Sequence, residues 1–314
     1  MTSSPLRYVQ YHNQPADSPL HRTLTAMWTA VSEETAGRFD VDTCPQNNGI
    51  AGGDPVALEL LVAGEIHFFT LMGGLLGAVA PVAEIQGVPF AFRGHADVFA
   101  AMDGALGDYV RAALADKGIH ALPRATFENG FRQITTRSRP IRTADDLVGL
   151  TIRTPAGRLF LDLFETLGAR PKAINLNRLH DALRTGEVEA QENPLVVTEF
   201  NRLYEVQRYV SVTNHMWSGF NLLAHRGAWR AIPGDVRAVI ERVATRYAAL
   251  QRRETDELNT ALVDRLRTRG MVFNTADTAS FRRGLGPFYA RWKEIFGRQA
   301  WALLEAHAGK LGDS

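Results

Sequence analysis

Short apolar runs alternate along the chain with longer stretches in which apolar residues recur every three or four positions. The first of the longer stretches, Pro19 to Thr35, has the spacing of an amphipathic helix. Asp54 and Pro55 begin another helix, with the aspartate as its cap, and this helix ends at Gly64. Strands that alternate with helices of about ten to fifteen residues are typical of parallel βαβ units. The strands predicted in this part are Leu6 to Gln10, Phe39 to Thr43 and Ile66 to Leu71.

The same alternation recurs after residue 130, where a strand at Thr151 to Arg153 precedes helices at Gly157 to Leu167 and Asn177 to Arg184. From Pro233 to Gly270 the helical spacing continues far beyond the roughly 11 to 12 residues of a mean globular helix. At ~1.5 Å per residue, such a helix reaches across two lobes. A chain of 314 residues also exceeds what one core comfortably supports. The pattern therefore predicts an α/β protein of two lobes with one long helix that spans both.

The composition of the chain excludes several classes of binding partner. The chain has 45% hydrophobic and 22% charged residues, and its 35 basic residues nearly balance its 34 acidic ones. A formal charge of +1 provides no general field that would attract nucleic acid or an anionic membrane. The lone Cys44 forms no internal disulfide, and the most apolar segment, Leu71 to Val88, is interrupted by Pro81 and Glu84. We expect a soluble protein that binds no nucleic acid.

No spacing in the sequence is typical of a metal or cofactor site. The nine histidines show no His-Glu-x-x-His pattern, and no acidic cluster offers several oxygen ligands to calcium or magnesium. Gly73, Gly74 and Gly77 form neither a dinucleotide fingerprint nor a phosphate loop, and close packing or a ligand-facing turn explains them better. No nucleophile lies beside a base motif. We predict no catalytic residue, no cofactor and no metal.

Arg153 and Asn193 are the strongest candidates for ligand chemistry. Arg153 ends a predicted strand before a Thr-Pro break, and open α/β sheets bind ligands at the carboxyl ends of their strands. A guanidinium presents a planar fork of donors that matches a carboxylate, and an asparagine amide adds a neutral donor beside it. Taken alone, each residue is more often a solvated surface residue. The surrounding sequence decides between these two interpretations.

Four segments that occur in order along the chain carry a family resemblance. They are Asn129 to Thr136, Leu147 to Pro155, Ala182 to Leu195 and Tyr204 to His215. Shorter matches are Glu33 to Asp42, Leu60 to Ile66 and Val88 to Phe92. The ordered set, from about residue 6 to about residue 300, resembles the solute-binding proteins of tripartite ATP-independent periplasmic (TRAP) transporters. Members of that family are extracytoplasmic receptors that deliver organic acids to an ion-driven membrane partner.

The resemblance implies a two-lobed, periplasmic-binding-protein-like fold whose lobes are discontinuous in sequence. Lobe I comprises residues 1–127 and 213–252, lobe II comprises residues 128–212 and 253–314, and the ligand cleft lies between them. The long helix joins the lobes and bends as they close. The expected protein is a periplasmic monomer that acts with the membrane components of a TRAP transporter. Residues 1–8 lack the apolar run of a secretory signal, so we expect that the signal has been removed.

The same resemblance assigns roles to individual residues. Arg153 matches the arginine that pairs with the ligand carboxylate, Asn193 matches the asparagine of a Gln-Glu-Asn-Pro motif, and Arg132 matches a second arginine of many members. Two cations exceed what one carboxylate needs, which indicates a second oxygen function on the ligand, such as a hydroxyl, a keto group or another carboxylate. Met72 and Leu176 stand where sialic-acid-binding members have an acidic and an aromatic residue. The pocket is therefore expected to be less polar than a sugar-acid site.

Other candidates for the ligand site have structural roles as alternatives. Trp217 and Phe220 would supply an apolar wall, although aromatic residues near strands usually belong to the core. His215 would contact the ligand, but isolated histidines are mostly held by structural hydrogen bonds. The remaining candidates follow the first and third predicted strands, and they are His12, Asn13, Gln14 and Gly73.

We predict a receptor, not an enzyme, that binds a small organic acid through an arginine-carboxylate clamp and closes over it. One alternative is an enzyme of a small carboxylic acid, with Arg153 as its anchor and Glu192 or His215 as its acid-base group. Another is a ligand-sensing subunit, which would share the ligand site and differ only in its surface. The expected ligand is an aromatic or branched 2-oxo or 2-hydroxy monocarboxylate, then a sugar acid, then a four-carbon dicarboxylate.

Overall fold

The computed structural model describes residues 6–312, so part of the segment in which no signal-like run was found lies outside the described residues. The strands are β1 (Leu6–His12), β2 (Phe39–Cys44), β3 (Phe68–Met72), β4 (Ile119–Phe127), β5 (Gln133–Thr136), β6 (Thr151–Thr154), β7 (Arg170–Ala173), β8 (Ala190–Asn193), β9 (Tyr209–Val212), β10 (Phe220–His225) and β11 (Val272–Thr275). The helices are α1 (Pro19–Glu34), α2 (Asp54–Ala63), α3 (His95–Met102), α4 (Ala105–Ala115), α5 (Arg158–Thr166), α6 (Leu176–Thr185), α7 (Leu195–Phe200), α8 (Arg226–Ala231), α9 (Gly234–Thr268), α10 (Thr278–Arg283), α11 (Gly286–Phe296) and α12 (Arg298–Ala308).

Lobe I is built on a five-stranded sheet with the order β2-β1-β3-β10-β4. Strand β1 is parallel to β2 and β3, whereas β10 is antiparallel to both of its neighbours. Strand β3 is buried along its whole length, as expected for a strand that is covered on both faces. Trp28 on α1 packs against Phe39 and Phe68, which ties this helix to the sheet. The parallel strands β1 and β3 place their carboxyl ends, and the residues after them, at one edge.

Lobe II is built on a six-stranded sheet with the order β11-β9-β5-β8-β6-β7. Strand β5 is antiparallel to β8 and β9, and the other pairs are parallel. Strands β6 and β8 are neighbours, with Ile152 opposite Ala190 and Arg153 opposite Gln191. Their carboxyl ends, which carry Arg153 and Asn193, therefore lie at the same edge of the sheet.

The chain passes between the lobes at two neighbouring crossovers, residues 128–132 and 213–219. The crossovers are hydrogen-bonded to each other, because the Arg132 amide donates to the Met216 carbonyl at 2.8 Å and the Ser218 amide donates to the Gly130 carbonyl at 3.2 Å. Each crossover thereby fixes the path of the other. Two further connections are helix α9, which is 35 residues long, and the segment between β11 and α11.

Helix α9 belongs to the cores of both lobes. Its first half packs against α1 and β4 of lobe I, where Ile240 is buried, and Leu262 packs with Val197 of lobe II. Where it passes the first crossover, the Gln251 side chain accepts from the Glu128 amide at 2.7 Å and donates to the Glu128 carbonyl at 2.8 Å. The predicted two-lobed α/β fold with a spanning helix is confirmed. Within residues 6–312, no helix is both long enough and apolar enough to cross a membrane.

The last two helices pack on lobe I. Helix α12 contacts α3 and α4, and α11 lies against the 3-10 segment Pro81–Gly87 as well as against α5. Trp292 and Trp301 are buried in these contacts. The predicted boundary assigns residues 253–314 to lobe II, but α12 packs on lobe I and α11 contacts both lobes. The division of the chain into lobes otherwise stays a proposal.

The cap predicted for α2 is wrong in one detail that matters for the site. Gly53 occupies the N-cap position and Asp54 is the first helical residue. The Asp54 carboxylate instead accepts hydrogen bonds from Asn13 at 2.7 Å and from Asn47 at 2.8 Å. These two side-chain amides draw the carboxylate away from the helix backbone and towards the cleft.

We expect Leu262→Ala to lower the free energy of unfolding by about 2 to 5 kcal/mol, because Leu262 is fully buried where α9 meets lobe II and its truncation leaves a cavity. Leu250→Ala on the same helix is the matched control, since Leu250 is 37% exposed and its loss should cost below about 1 kcal/mol. Urea unfolding measures both values. Equal losses would contradict the packing of α9 on lobe II.

Candidate functional site

A small cavity lies between the lobes at the carboxyl edges of both sheets. Its volume is about 30 Å³, which is room for about two water molecules. Residues from β3, β6 and β8, from the segment after β1 and from the first crossover all line it. Ligands of open α/β proteins bind at this edge of a sheet. The cavity is therefore the candidate site.

Arg153 is a buried cation with an unmet hydrogen-bond donor. Its side chain is 2% exposed, and its Nε donates to the Ile174 carbonyl at 2.7 Å. No acceptor among the described residues contacts its buried Nη1. Burial lowers the pKa of Arg153 to about 10, so it stays charged at neutral pH. A buried guanidinium without an acceptor costs free energy, and the carboxylate of a ligand would supply both the acceptor and the counter-charge.

Arg132 is also buried, but the protein itself supplies its hydrogen-bond acceptors. Its Nε and Nη2 donate to the two oxygens of the Glu192 carboxylate, and Nη2 also donates to the Glu192 carbonyl at 2.7 Å and to Asn193 Oδ1 at 3.1 Å. The guanidinium lies over the Phe160 ring, 5.0 Å from its centroid. The two-to-two pairing uses the fork that a ligand carboxylate would need. Arg132 therefore lines the cavity as one half of an ion pair.

Glu192 connects this ion pair to His215. His215 Nε2 lies 3.3 Å from Glu192 Oε2, and its Nδ1 lies 2.8 Å from the Thr213 hydroxyl. Burial lowers the pKa of His215, so we assign a neutral ring that donates from Nε2 to the carboxylate. Burial acts to raise the pKa of Glu192, but Arg132 and His215 outweigh it, and the pKa lies below its ordinary value. All of these groups are satisfied by one another.

Asn193 ends β8 beside Arg153's strand. Its Nδ2 donates to Gln191 Oε1 at 2.6 Å, and its Oδ1 accepts from Arg132. An amide nitrogen carries two hydrogens, so one remains to be directed elsewhere. Since Asn193 lines the cavity, that hydrogen is a neutral donor next to the space where an anion would sit.

Asp54 places a carboxylate on the opposite wall. It is 7% exposed and held by Asn13 and Asn47. Burial raises its pKa, whereas the two amides and the charge of Arg153 act in the opposite direction. Each carboxylate oxygen that accepts one amide hydrogen retains a second lone pair. Asp54 is thus an available acceptor that faces a cation from the other lobe.

His12 does not line the cavity but holds the neighbouring residues that do. Its Nδ1 accepts from the Gln14 amide at 3.2 Å, which places the ring hydrogen on Nε2, where it points to His21 Nδ1 at 2.9 Å. Burial, followed by the neighbouring His21, lowers the pKa of His12 to about 3. This neutral ring fixes the backbone turn that brings Asn13 and Gln14 to the cavity.

The structure brings most of the predicted site residues together. Those that line the cavity are Arg153, Arg132, Asn193, Met72, Leu176, Asn13, Gln14 and Phe220. Four others do not line it. Trp217 is buried and donates from Nε1 to Glu128 at 2.9 Å, His12 and His215 are held as described, and Gly73 packs under the Gln86 side chain. Ligand contact by each residue stays a prediction.

Further lining residues are absent from the sequence-based prediction. They are Asp54, Leu75, Asn129, Pro155 and Val197. The sequence pattern indicates a helix cap at Asp54, and the separation of 41 residues between Asp54 and Asn13 conceals their pairing. The sequence indicates a break at Pro155, and a residue directly after a site strand is a recognisable signal. Within residues 6–312, no group of three His, Cys, Asp or Glu side chains is placed to hold a metal ion.

Comparison with known proteins identifies the family. Residues 11–295 match the bacterial extracellular solute-binding protein, family 7 (DctP). The chain belongs to this family. Members of family 7 are the solute-binding receptors of TRAP transporters, so the predicted family and the prediction of a receptor instead of an enzyme are confirmed. Glu192 and His215, the acid-base candidates of the enzyme alternative, are hydrogen-bonded to each other and are not among the residues that line the cavity.

Individual relatives of this family 7 protein cover most of its length. A solute-binding protein of Verminephrobacter eiseniae is 30% identical over 272 residues, which are 86% of this chain and 80% of the relative. The 2,3-diketo-L-gulonate-binding periplasmic protein of Escherichia coli is 28% identical over 266 residues, 82% of this chain and 77% of the relative. A TRAP periplasmic solute-binding protein of Polaromonas sp. JS666, solved with D-erythronate, is 28% identical with a TM-score of 0.90, and the match covers 96% of this chain and 98% of that one.

We expect Glu192→Gln to lower the free energy of unfolding by about 3 to 5 kcal/mol at pH 7, because Arg132 would be left buried without its counter-charge. The matched control is Glu205→Gln, which removes an exposed partner of Arg202 and should cost below about 1 kcal/mol. Urea unfolding at a series of pH values measures both.

The pH dependence has a definite sign. The folded pKa of Glu192 lies below its ordinary value of 4.5, so its contribution is present above pH 4.5 and is lost as the pH falls through the folded pKa. The difference between wild type and Glu192→Gln should therefore shrink only in acid. A difference that is constant down to the acid transition would contradict the ion pair.

Proposed function

We propose that this family 7 protein is the extracytoplasmic receptor of a TRAP transporter for a hydroxylated monocarboxylate, such as a short sugar acid. The observation that carries the proposal is the buried Nη1 of Arg153, which has no acceptor among the described residues, in a side chain that lines the interlobe cavity. The carboxylate would accept from Arg153 and from Asn193. The protein would act in the periplasm and deliver its ligand to the membrane components of the transporter.

The charges around the cavity support one carboxylate on the ligand. Arg132 is neutralised by Glu192, so Arg153 is the cation whose donors are not all used. Asp54 on the opposite wall would repel a second carboxylate, which counts against a dicarboxylate. This changes the order of ligands that the sequence suggests, in which the sugar acid ranked second.

Asp54 supports hydroxyl groups on the ligand. A carboxylate that accepts from two asparagines still has lone pairs for a hydroxyl, and leaving a ligand hydroxyl unpaired in this closed site would cost free energy. The ligands of two relatives have this chemistry. The Polaromonas neighbour was solved with D-erythronate, and the Escherichia coli relative is named for 2,3-diketo-L-gulonate.

The size of the cavity supports opening of the lobes. A volume of about 30 Å³ is too small to admit a four-carbon acid, and the lobes contact each other near the cavity. One of these contacts is a hydrogen bond from Asn175 Nδ2 of lobe II to the Gly52 carbonyl of lobe I, at 3.0 Å. We infer that the ligand enters an opened cleft and that its differential affinity for the closed state drives closure.

We expect Arg153→Ala to weaken the binding of carboxylates at least about tenfold, because the carboxylate would be buried without its charged partner. Arg178→Ala, which changes an exposed arginine on α6 of the same lobe, should leave affinity unchanged.

A thermal-unfolding panel first compares D-erythronate, D-glucuronate, succinate and 2-oxo acids with their uncharged amides, since a ligand that binds the folded state raises the midpoint of unfolding. Titration calorimetry with the most stabilising acid then compares the variants. Unchanged affinity for Arg153→Ala would contradict the clamp.

We expect Asp54→Asn to discriminate between ligands with and without hydroxyl groups. The isosteric change removes the acceptor charge, so D-erythronate should lose about tenfold in affinity, whereas butyrate, which has the same carbon chain, should be little affected or gain. Calorimetry with both acids measures the ratio. Glu59→Gln, an exposed change on α2, is the control. Equal effects on the two acids would contradict recognition of a hydroxyl by Asp54.

A further inference from the structure

The amino end of α5, which follows the Arg153 strand in lobe II, rests directly on lobe I. A methyl group built on Gly157 would lie 2.1 Å from the Gly74 carbonyl oxygen, and one built on Gly74 would lie 2.5 Å from the Phe160 ring. The two backbones are therefore as close as only glycine permits. This contact adjoins the cavity, because Met72 and Leu75 of lobe I and Pro155 of lobe II line it on this side.

The side chain of Glu84 extends from lobe I to α5 of lobe II at this contact. It belongs to the 3-10 segment Pro81–Gly87 of lobe I and is 3% exposed. Its Oε2 accepts from the Leu159 amide in the first turn of α5 at 2.7 Å, and the Arg158 amide also donates to its carboxylate. The first amides of a helix have no partner within the helix. No side chain of α5's own N-cap residue, Gly157, meets this need. The cap is supplied by the other lobe.

We propose that Glu84 is a positioning residue for ligand binding, which stabilises the closed cleft by capping α5 across the interface between the lobes. This inference rests on the proposed opening and closing of the lobes. When the cleft opens, the cap is broken, and both the α5 amides and the Glu84 carboxyl return to water. Closure rebuilds the cap and sets α5, and with it the Arg153 to Pro155 segment, against the cavity.

The burial of Glu84 in this contact also couples closure to the uptake of a proton by its carboxyl group. Burial raises the pKa of Glu84 to about 7, although the Leu159 and Arg158 amides and the Arg158 charge act to lower it. The charged groups that face Glu84 on α5 are Arg158 and Asp162, and Asp162 is paired with Arg291 of α11 at 3.3 Å. A carboxyl with an ordinary pKa of 4.5 in the open form and about 7 in the closed form binds more protons when closed. Lower pH therefore favours closure, and this contribution is lost as the pH rises through 7.

The test measures the distance between the lobes without any ligand, so its result does not depend on the proposed carboxylate clamp. Fluorescent labels are attached at Ala63→Cys on α2 and Thr185→Cys on α6, both exposed, in a Cys44→Ser background. Single-molecule energy transfer then gives the ratio of closed to open molecules at pH 8, 7 and 6. The variants are Glu84→Ala, Glu84→Gln and the exposed control Glu59→Gln, and circular dichroism establishes that each is folded.

Glu84→Gln keeps an acceptor oxygen and has no charge to bury, so its closed-to-open ratio should be at least that of the wild type. Glu84→Ala should have a ratio about fivefold below that of Glu84→Gln, because the two uncharged variants differ in the helix cap. Between pH 8 and pH 6 the wild-type ratio should rise about tenfold more than the Glu84→Gln ratio, because only the wild type takes up a proton at this position. Equal ratios for wild type, Glu84→Ala and Glu84→Gln would overturn the proposal. Failure of every acid to bind, with these ratios as expected, would count against the proposed ligand and leave the closure residue standing.

Discussion

The buried ion pair between Arg132 and Glu192 is the interaction on which the cleft depends. Removing two charges from water costs several kcal/mol for each ion, and only near-complete hydrogen bonding compensates for it. Here two nitrogens of Arg132 pair with the two carboxylate oxygens of Glu192. In addition, His215 contacts the Glu192 carboxylate, and Asn193 Oδ1 accepts from Arg132. Because Arg132 ends the first crossover and Glu192 lies on β8, the pair fixes where the chain enters lobe II. The edge that carries Arg153 and Asn193 is positioned by this constraint.

Charge balance then determines what the cleft can accept. Two arginines side by side suggest a doubly charged ligand, but one of them is neutralised within the protein. The remaining cation, Arg153, faces Asp54 from the other lobe. A ligand that fits this arrangement brings one negative charge to lobe II and neutral oxygens to lobe I. Under the proposed function, the receptor would distinguish acids by the number of their charges before the shape of the pocket matters.

The sequence was sufficient for the two-lobed fold and for the position of Arg153 at the carboxyl end of its strand. Helical spacing located α9 within two residues at each end, and the motif around Arg153 located the cation. Asp54 was missed because its partners, Asn13 and Asn47, come from two loops whose proximity follows only from the order of the strands. The pairing of Arg132 with Glu192 was missed for a similar reason: β5 and β8 are antiparallel neighbours although 60 residues separate the pair. The placement of α12 depended on which lobe offered an apolar surface, and amphipathic spacing does not carry that information.

Helix α9 also has a consequence for how the protein folds. Its two halves complete the cores of different lobes, and Gln251 ties it to the crossover between them. Neither lobe is a continuous piece of chain, so neither can be excised without removing residues that pack in the core of the other. Melting of one lobe would expose apolar surface of its neighbour through the shared helix. If the cleft opens as proposed, the two lobes would move as separate bodies and would still fold and unfold as one cooperative unit.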